Sequence, residues 1–433
     1  MSFSASQVTE GNGREKQKVK FMKTQGILDY NIIEKLGESL YSDVFKVCPN
    51  DRPDQILVLK RIKSSTITGD FSTRLKAQTD YLKNLRIPGL IKPVFYSFEK
   101  EDPFLVRTYF DGLPLGIWRK SQAKIDLKDF FSIACSIVSI VKRMHNAGYF
   151  HGGIKPGNIL IKLDTLDIRL IDPVRIINIS EINRYIHDDG FRTETLPYIS
   201  LEQTGRIRKN VNYATDIYSL GIVLYELLIG APPFTSQDPL EIIYSHLAEV
   251  PVHPGRLRPD IPEMISNIIA RMTLKEPEKR YQTGGGLTYD LIRCRNEYLK
   301  KGSISSFPLG LNDYSSRINI PSIMVGRDQE KEILLKEHEL SCSGNFRSAM
   351  ISGLPGIGKT RLIRELEIPI ISERGYFTSG KFDQYQKNIP YSTLIQTLSN
   401  LTRIFLAEDS SRVEYWKKTI EKALGQNGRL VNM

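Results

Sequence analysis

The stretch from Tyr149 to Ile161, Y-F-H-G-G-I-K-P-G-N-I-L-I, constrains the chain most strongly. Apolar flanks enclose a short polar loop carrying His151, Lys155 and Asn158, side chains suited to phosphate or metal contact, and two adjacent glycines, Gly152 and Gly153. Whatever surrounds this loop must be large, because 433 residues exceed one ordinary core and predict about two to three domains.

Composition excludes several classes. The longest apolar runs, Ile133 to Val141 and Leu220 to Leu228, are too short or too interrupted to span a bilayer. Residues 1 to 20 are polar and lack the apolar core of a signal peptide, so a cytoplasmic protein is expected. Cys48, Cys135, Cys294 and Cys342 are widely spaced, without the pairing of a zinc site or a disulfide framework. The net charge of +11 is diffuse. Its densest cluster, Arg14, Lys16, Lys18, Lys20 and Lys23, lies in a polar tail without aromatic platforms and reads as a solvated tail rather than a nucleic-acid arm.

From Ile27 the pattern is strand-rich. Tyr30 to Leu36, Asp43 to Val47, Ile56 to Ile62, Leu90 to Phe98 and Phe104 to Tyr109 read as five strands, with a helix over Phe71 to Leu85 after the third. Asp111, Gly112 and Pro114 supply turn chemistry. Beyond them the chain turns helical. Leu127 to Ala147 has helical spacing and meets Gly148; Tyr213 to Ile229 is strongly apolar and stops at Gly230. Further helices are predicted over Pro239 to Ala248, Pro262 to Met272 and Gly286 to Tyr298. A Ser, Gly and Pro-rich linker spans residues 301–321, and another helix runs from Gln329 to Leu340.

Ala349 to Ser352 reads as a short buried strand feeding G-L-P-G-I-G-K-T at Gly353 to Thr360, a complete G-x-x-x-x-G-K-T. Amides around Gly353, Gly356 and Gly358 suit phosphate oxygens, Lys359 can reach the outer phosphates and Thr360 can hold magnesium. A helix beginning near Arg361 adds its positive dipole end. ATP with Mg2+ is the expected ligand. Hydrolysis would need a downstream aspartate at the end of an apolar strand. The candidate, Ile404 to Asp409, continues Leu394, Leu398, Leu401 and Phe405 at helical spacing and reads as a helix.

The first loop resembles the catalytic loop of protein kinases, H-R-D-L-x-x-x-N, through His151, Ile154, Lys155, Pro156 and Asn158. The resemblance runs from about Tyr30 to Tyr298. It implies an α+β two-lobed protein-kinase-like fold, residues 26–300, with an N-lobe over 26–110 and a C-lobe over 111–300. Behind it stands the start of an α/β P-loop NTPase domain over 322–433. Residues 1–25 are expected to be a disordered tail.

The resemblance also implies roles. Lys60 in I-L-V-L-K is the phosphate-binding lysine, and Gly37 and Val44 remain of the glycine-rich loop, where Ser39 and Ser42 replace later glycines. Gln78 stands where the lysine's glutamate partner belongs and carries no charge. Asn158 and Asp172 are the magnesium ligands, although Pro173 and Val174 depart from D-F-G. Glu202 and Arg280 resemble a buried structural ion pair, and Asp216 the residue bracing the catalytic loop. Gly153 occupies the position of the catalytic aspartate, leaving Lys155 as the candidate catalytic residue.

The order of kinase-like domain, linker, V-G-R, P-loop and G-K-F-D-Q-Y-Q-K-N-I-P-Y resembles large bacterial multidomain signalling proteins. In these a serine/threonine-kinase-like domain precedes a predicted AAA-type ATPase and later sensor and histidine-kinase modules. Against that pattern the chain, ending at Met433, reads as truncated. Three functions stay open: a degenerate, regulatory kinase-fold protein that binds ATP and docks signalling partners; an active serine/threonine kinase; or a P-loop switch ATPase with a scaffold domain.

Overall fold

A computed structural model describes residues 27–39, 42–63, 76, 79–80, 82, 86–98, 103–172, 194–204, 211–313, 326–373, 375–380, 382, 391–405 and 410–425. The chain divides into two compact units, residues 1–73 with 94–109, and residues 74–93 with 110–433. Gln78, Pro173, Val174, Asp409, the basic tail and most of the helix expected over Phe71 to Leu85 lie outside the described residues.

The first unit is a five-stranded sheet of β1 (Tyr30–Glu38), β2 (Ser42–Pro49), β3 (Leu57–Ile62), β4 (Pro93–Ser97) and β5 (Phe104–Thr108), in the order β1-β2-β3-β5-β4. The pairings β1 with β2, β2 with β3, and β3 with β5 are antiparallel. Inward residues form a small core of Tyr30, Val47, Leu57, Leu59, Phe104 and Val106, in which Tyr30 meets Phe104 edge to face. Such burial stabilises by about 1.5–3 kcal/mol per large side chain.

The second unit is mainly helical. After β6 (Leu113–Pro114) come α1 (Leu115–Lys120) and α2 (Leu127–Asn146). Asp126 caps α2 by accepting from Lys128 N at 2.6 Å, and Gly148, with φ of +90°, lets the chain turn away after it. β7 (Ile159–Ile161) and β8 (Ile168–Leu170) pair antiparallel, and β6 joins the far side of β7. These short strands hold the polar loop at their edge. α3 (Tyr213–Ile229) is apolar on nearly every face and is therefore a core helix. It ends at Gly230, whose φ of +100° and 3.1 Å clearance to Arg119 Nη2 leave little room for a side chain. α4 (Pro239–Ala248), α5 (Pro254–Leu257), α6 (Glu263–Met272) and α7 (Gly284–Lys301) complete this core.

The stretch read as a linker is tied down in its first part. Leu309 O accepts from Arg271 Nη1 at 2.6 Å, and Gly310 N donates to Asp290 Oδ2 at 2.8 Å. Asp313 accepts from the backbone amides of Gln282 and Thr283 and from the Thr283 hydroxyl. Phe307 is buried.

Farther on lie α8 (Asp328–Cys342), α9 (Lys359–Arg364), α10 (Glu367–Ser372), α11 (Ser392–Phe405) and α12 (Ser410–Leu424). Tyr376, Phe405 and Trp416 make an aromatic cluster, the last two stacked at 4.5 Å. α11 carries Ile404 and Phe405 as helix, in keeping with the periodicity. One expectation fails here. Ala349 to Ser352 is neither strand nor buried, and Met350 is 97% exposed. A strand requires a neighbouring ladder, and none of the described residues pairs with this segment.

Candidate functional site

The polar loop hangs from one buried carboxylate. Asp216, on the first turn of α3, accepts from His151 N at 2.6 Å and His145 Nε2 at 2.9 Å through Oδ2, and from Gly152 N at 2.8 Å through Oδ1. Charge-assisted bonds of this kind are the stronger class. His151 is fully buried. Its Nδ1 accepts from Gly153 N at 3.3 Å, which places the proton on Nε2 for donation to Ile171 O at 3.0 Å. Burial holds its pKa below the ordinary histidine value, so the ring is a neutral strut.

Asn158 closes the loop by donating from Nδ2 to Gly153 O at 2.8 Å, while its own carbonyl accepts from Ile171 N at 3.0 Å. That bond brings the Asn158 backbone beside the residue preceding Asp172. Asp172 has a φ of +50°, a sparsely populated conformation for a non-glycine residue and one found at functional sites. A further brace had no assigned role in the sequence: Gln203 Nε2 donates to Gly152 O at 2.8 Å. Gln203 is itself held by Ser200, in a capping box over one turn.

Gly152 has a φ of +71°, so a side chain there would be strained. Gly153 does not. A Cβ at Gly153 would meet only Asn158 Nδ2 and His151 Nδ1, both at the ordinary distance of 3.9 Å. The backbone therefore accepts a side chain at the position where the sequence has none. Lys155 Nζ donates to Thr195 Oγ1 at 3.1 Å and lies 3.5 Å from Glu194 Oε2. Neither partner was legible locally, since each lies about forty residues away.

Glu202 and Arg280 form the expected ion pair, at 2.8 Å and 3.2 Å, with both side chains fully buried. Thr215 Oγ1 also donates to Glu202, and Arg280 donates to the carbonyls of Leu274 and Ala214. The pair is thus saturated, as burial of charge requires.

In the first unit, Gly37, Val44 and Lys60 fall on one cross-strand row: Gly37 faces Val44, Val44 faces Lys60, and Lys60 faces Leu105. The turn after β1 is tied by serines, with Ser39 N donating to Ser42 O at 2.8 Å and Ser42 N to Ser39 Oγ at 3.1 Å. Glu38 bridges Lys35 and Lys63.

Gly353 to Gly358 forms a largely exposed loop entering α9. Gly356 and Gly358 have φ of +83° and +94°. Only glycine takes such backbone without cost. Lys359 Nζ donates to Gly353 O at 2.8 Å and Leu354 O at 2.9 Å, so the ammonium sits across the mouth of the loop, where outer phosphates would meet it.

A five-stranded sheet unit, a helical unit, a loop hung from a buried aspartate and a buried Glu–Arg pair together define a protein-kinase fold. The chain belongs to the protein kinase family: the protein kinase domain profile matches residues 30–289. The profile of the AAA ATPase domain matches residues 324–432. Among curated relatives, hybrid signal transduction histidine kinase G of Dictyostelium discoideum is 29% identical over 406 residues, covering 74% of this chain and 12% of its own. Serine/threonine-protein kinase PknB of Mycobacterium tuberculosis is 29% identical over 231 residues, covering 52% of this chain and 36% of its own. The chain thus spans a minor part of either relative. The crystal structure of the Mycobacterium tuberculosis PknI kinase domain is similar at 17% identity and a TM-score of 0.47, over 61% of this chain and 95% of that one. Among the described residues no helix is long and apolar enough to cross a membrane.

Proposed function

We propose that this is a signal-transduction protein whose kinase domain, residues 26–300, retains the phosphotransfer loop as a frame with little or no transfer of its own. It is joined to an ATP-binding P-loop module, residues 322–433, and regulates signalling partners by nucleotide-dependent docking. The carrying observation is Gly153: its surroundings, Asp216, His151, Asn158 and Gln203, are all in place around a backbone that lacks the base. A positioned general base contributes about a hundredfold to ten-thousandfold in rate.

The residues fit ATP and Mg2+. Gly37, Val44 and Lys60 would face the nucleotide in the kinase domain. Asn158 and Asp172 would hold magnesium there, and Thr360 would hold it at the P-loop, where Gly353, Gly356, Gly358 and Lys359 receive phosphates. When bound, the ion offsets phosphate charge. The protein's share is Asn158 fixed by Gly153 O, and Lys155 fixed by Thr195.

The retained Lys60, Lys155, Asn158 and Asp172 favour a second reading, an active serine/threonine kinase. Radiolabel transfer from ATP to dephosphorylated casein separates the two, with Asp172→Ala as control. We expect transfer near background. Robust transfer abolished by Asp172→Ala would overturn the proposal.

A further inference from the structure

Asp216 and Glu194 both touch side chains or amides of residues 151–158, and they differ in what they can do. Asp216 is buried and already accepts from three donors, so it has no access to an incoming hydroxyl. Glu194 is the opposite case. Its side chain is 63% exposed, and Oε2 stands 3.5 Å from Lys155 Nζ, while that lysine is only 20% exposed.

The residues that follow Glu194 are anchored, so the segment carrying its exposed side chain is held beside the loop. Thr195 binds Lys155 through its hydroxyl, Leu196 is fully buried with its carbonyl 3.0 Å from His246 Nε2, and Tyr198 OH donates to the buried Glu226. The space at Gly153, open on the side not taken by Asn158 and His151, lies in the same loop two residues before Lys155.

We propose that Glu194 is the general base for whatever phosphotransfer this domain retains, standing in for the side chain that Gly153 lacks. The assignment rests on reading the loop as a phosphotransfer site. The acceptor hydroxyl oxygen of a protein substrate bonds to the γ-phosphorus of the nucleoside triphosphate. The bond from that phosphorus to the β–γ bridging oxygen breaks, its electron pair leaving with the nucleoside diphosphate. The hydroxyl proton passes to a carboxylate oxygen of Glu194 and from there to water. Lys155, between Glu194 and Thr195, holds the carboxylate beside the loop. A side chain this exposed is less well positioned than a short aspartate on the loop itself, which accounts for a low rate.

The test uses the full chain, γ-labelled ATP and dephosphorylated casein, under single-turnover conditions, with ATP titration of every variant alongside. Wild type, Glu194→Gln, Gly153→Asp and the double variant Gly153→Asp/Glu194→Gln are compared. Glu194→Gln is expected to lower the residual wild-type rate about tenfold or more without weakening ATP binding. In the Gly153→Asp background the same change is expected to alter the rate by less than about twofold, because the aspartate then takes the proton. An unchanged or raised rate in Glu194→Gln would overturn the assignment, the latter result making Glu194 a restraint on Lys155. Undetectable wild-type transfer would also overturn it, while leaving the proposed regulatory function standing. Robust wild-type transfer abolished by Glu194→Gln would support Glu194 and overturn the reading of a weakened site.

Discussion

Asp216 Oδ1 accepts from the backbone amide of Gly152 at 2.8 Å, so the loop is gripped through its backbone. Because the grip uses amides, the frame does not depend on a side chain at Gly152 or Gly153. Asp216→Asn would place an amide NH2 against N–H donors and leave at least one buried donor unpaired. We expect a loss of about 3 kcal/mol, read as a lower urea midpoint at unchanged slope.

Glu202 and Arg280 are fully buried and mutually saturated. Removing one partner strands the other charge. Arg280→Met is expected to cost about 3–5 kcal/mol, and the pair Glu202→Leu/Arg280→Met distinctly less than the sum of the single changes. A double-mutant cycle by chemical denaturation checks the coupling.

His246 is fully buried between Tyr218 OH, 2.8 Å from Nδ1, and Leu196 O, 3.0 Å from Nε2. Burial, aided by the nearby Lys275 charge, lowers its pKa to about 3. Between the unfolded value of about 6.5 and that folded value, the unfolded chain binds a proton that the native state refuses. Stability from this group is therefore complete above about pH 6.5 and falls as pH is lowered toward 3. At pH 5 the loss relative to pH 7.5 is about 2 kcal/mol. Denaturation at both values should show a loss smaller by that amount in His246→Gln.

Lys359 bridges Gly353 O and Leu354 O across the P-loop. ATP titration with magnesium is expected to show that Lys359→Ala weakens binding about tenfold or more, while Lys60→Ala changes total binding little. Equal losses from the two substitutions would show that the kinase-domain residues also take nucleotide strongly.

Much of the fold was legible because its signals are local. Tyr213 to Ile229 and its stop at Gly230 follow from continuous apolar residues and a glycine that alone accepts the left-handed turn. Pro239 to Ala248 begins with proline after an aspartate cap. The row of Gly37, Val44 and Lys60 follows from strand alternation once the strands pair. What the sequence hid is tertiary. Gln203 gives no sign that it will reach Gly152, Asp313 none that it will hold the residues just before α7, and Glu194 none that it will meet Lys155. The apolar run Ala349 to Ser352 is not buried, because burial depends on neighbours as well as on apolar content.

If fold and chemistry part at Gly153, as proposed, the rate of γ-phosphate transfer by Gly153→Asp relative to wild type is the decisive measurement. The position accepts a Cβ at 3.9 Å from its neighbours, so the variant should fold normally. A gain of about a hundredfold to ten-thousandfold is expected. A ratio near one, with wild type already transferring phosphate efficiently, would contradict it.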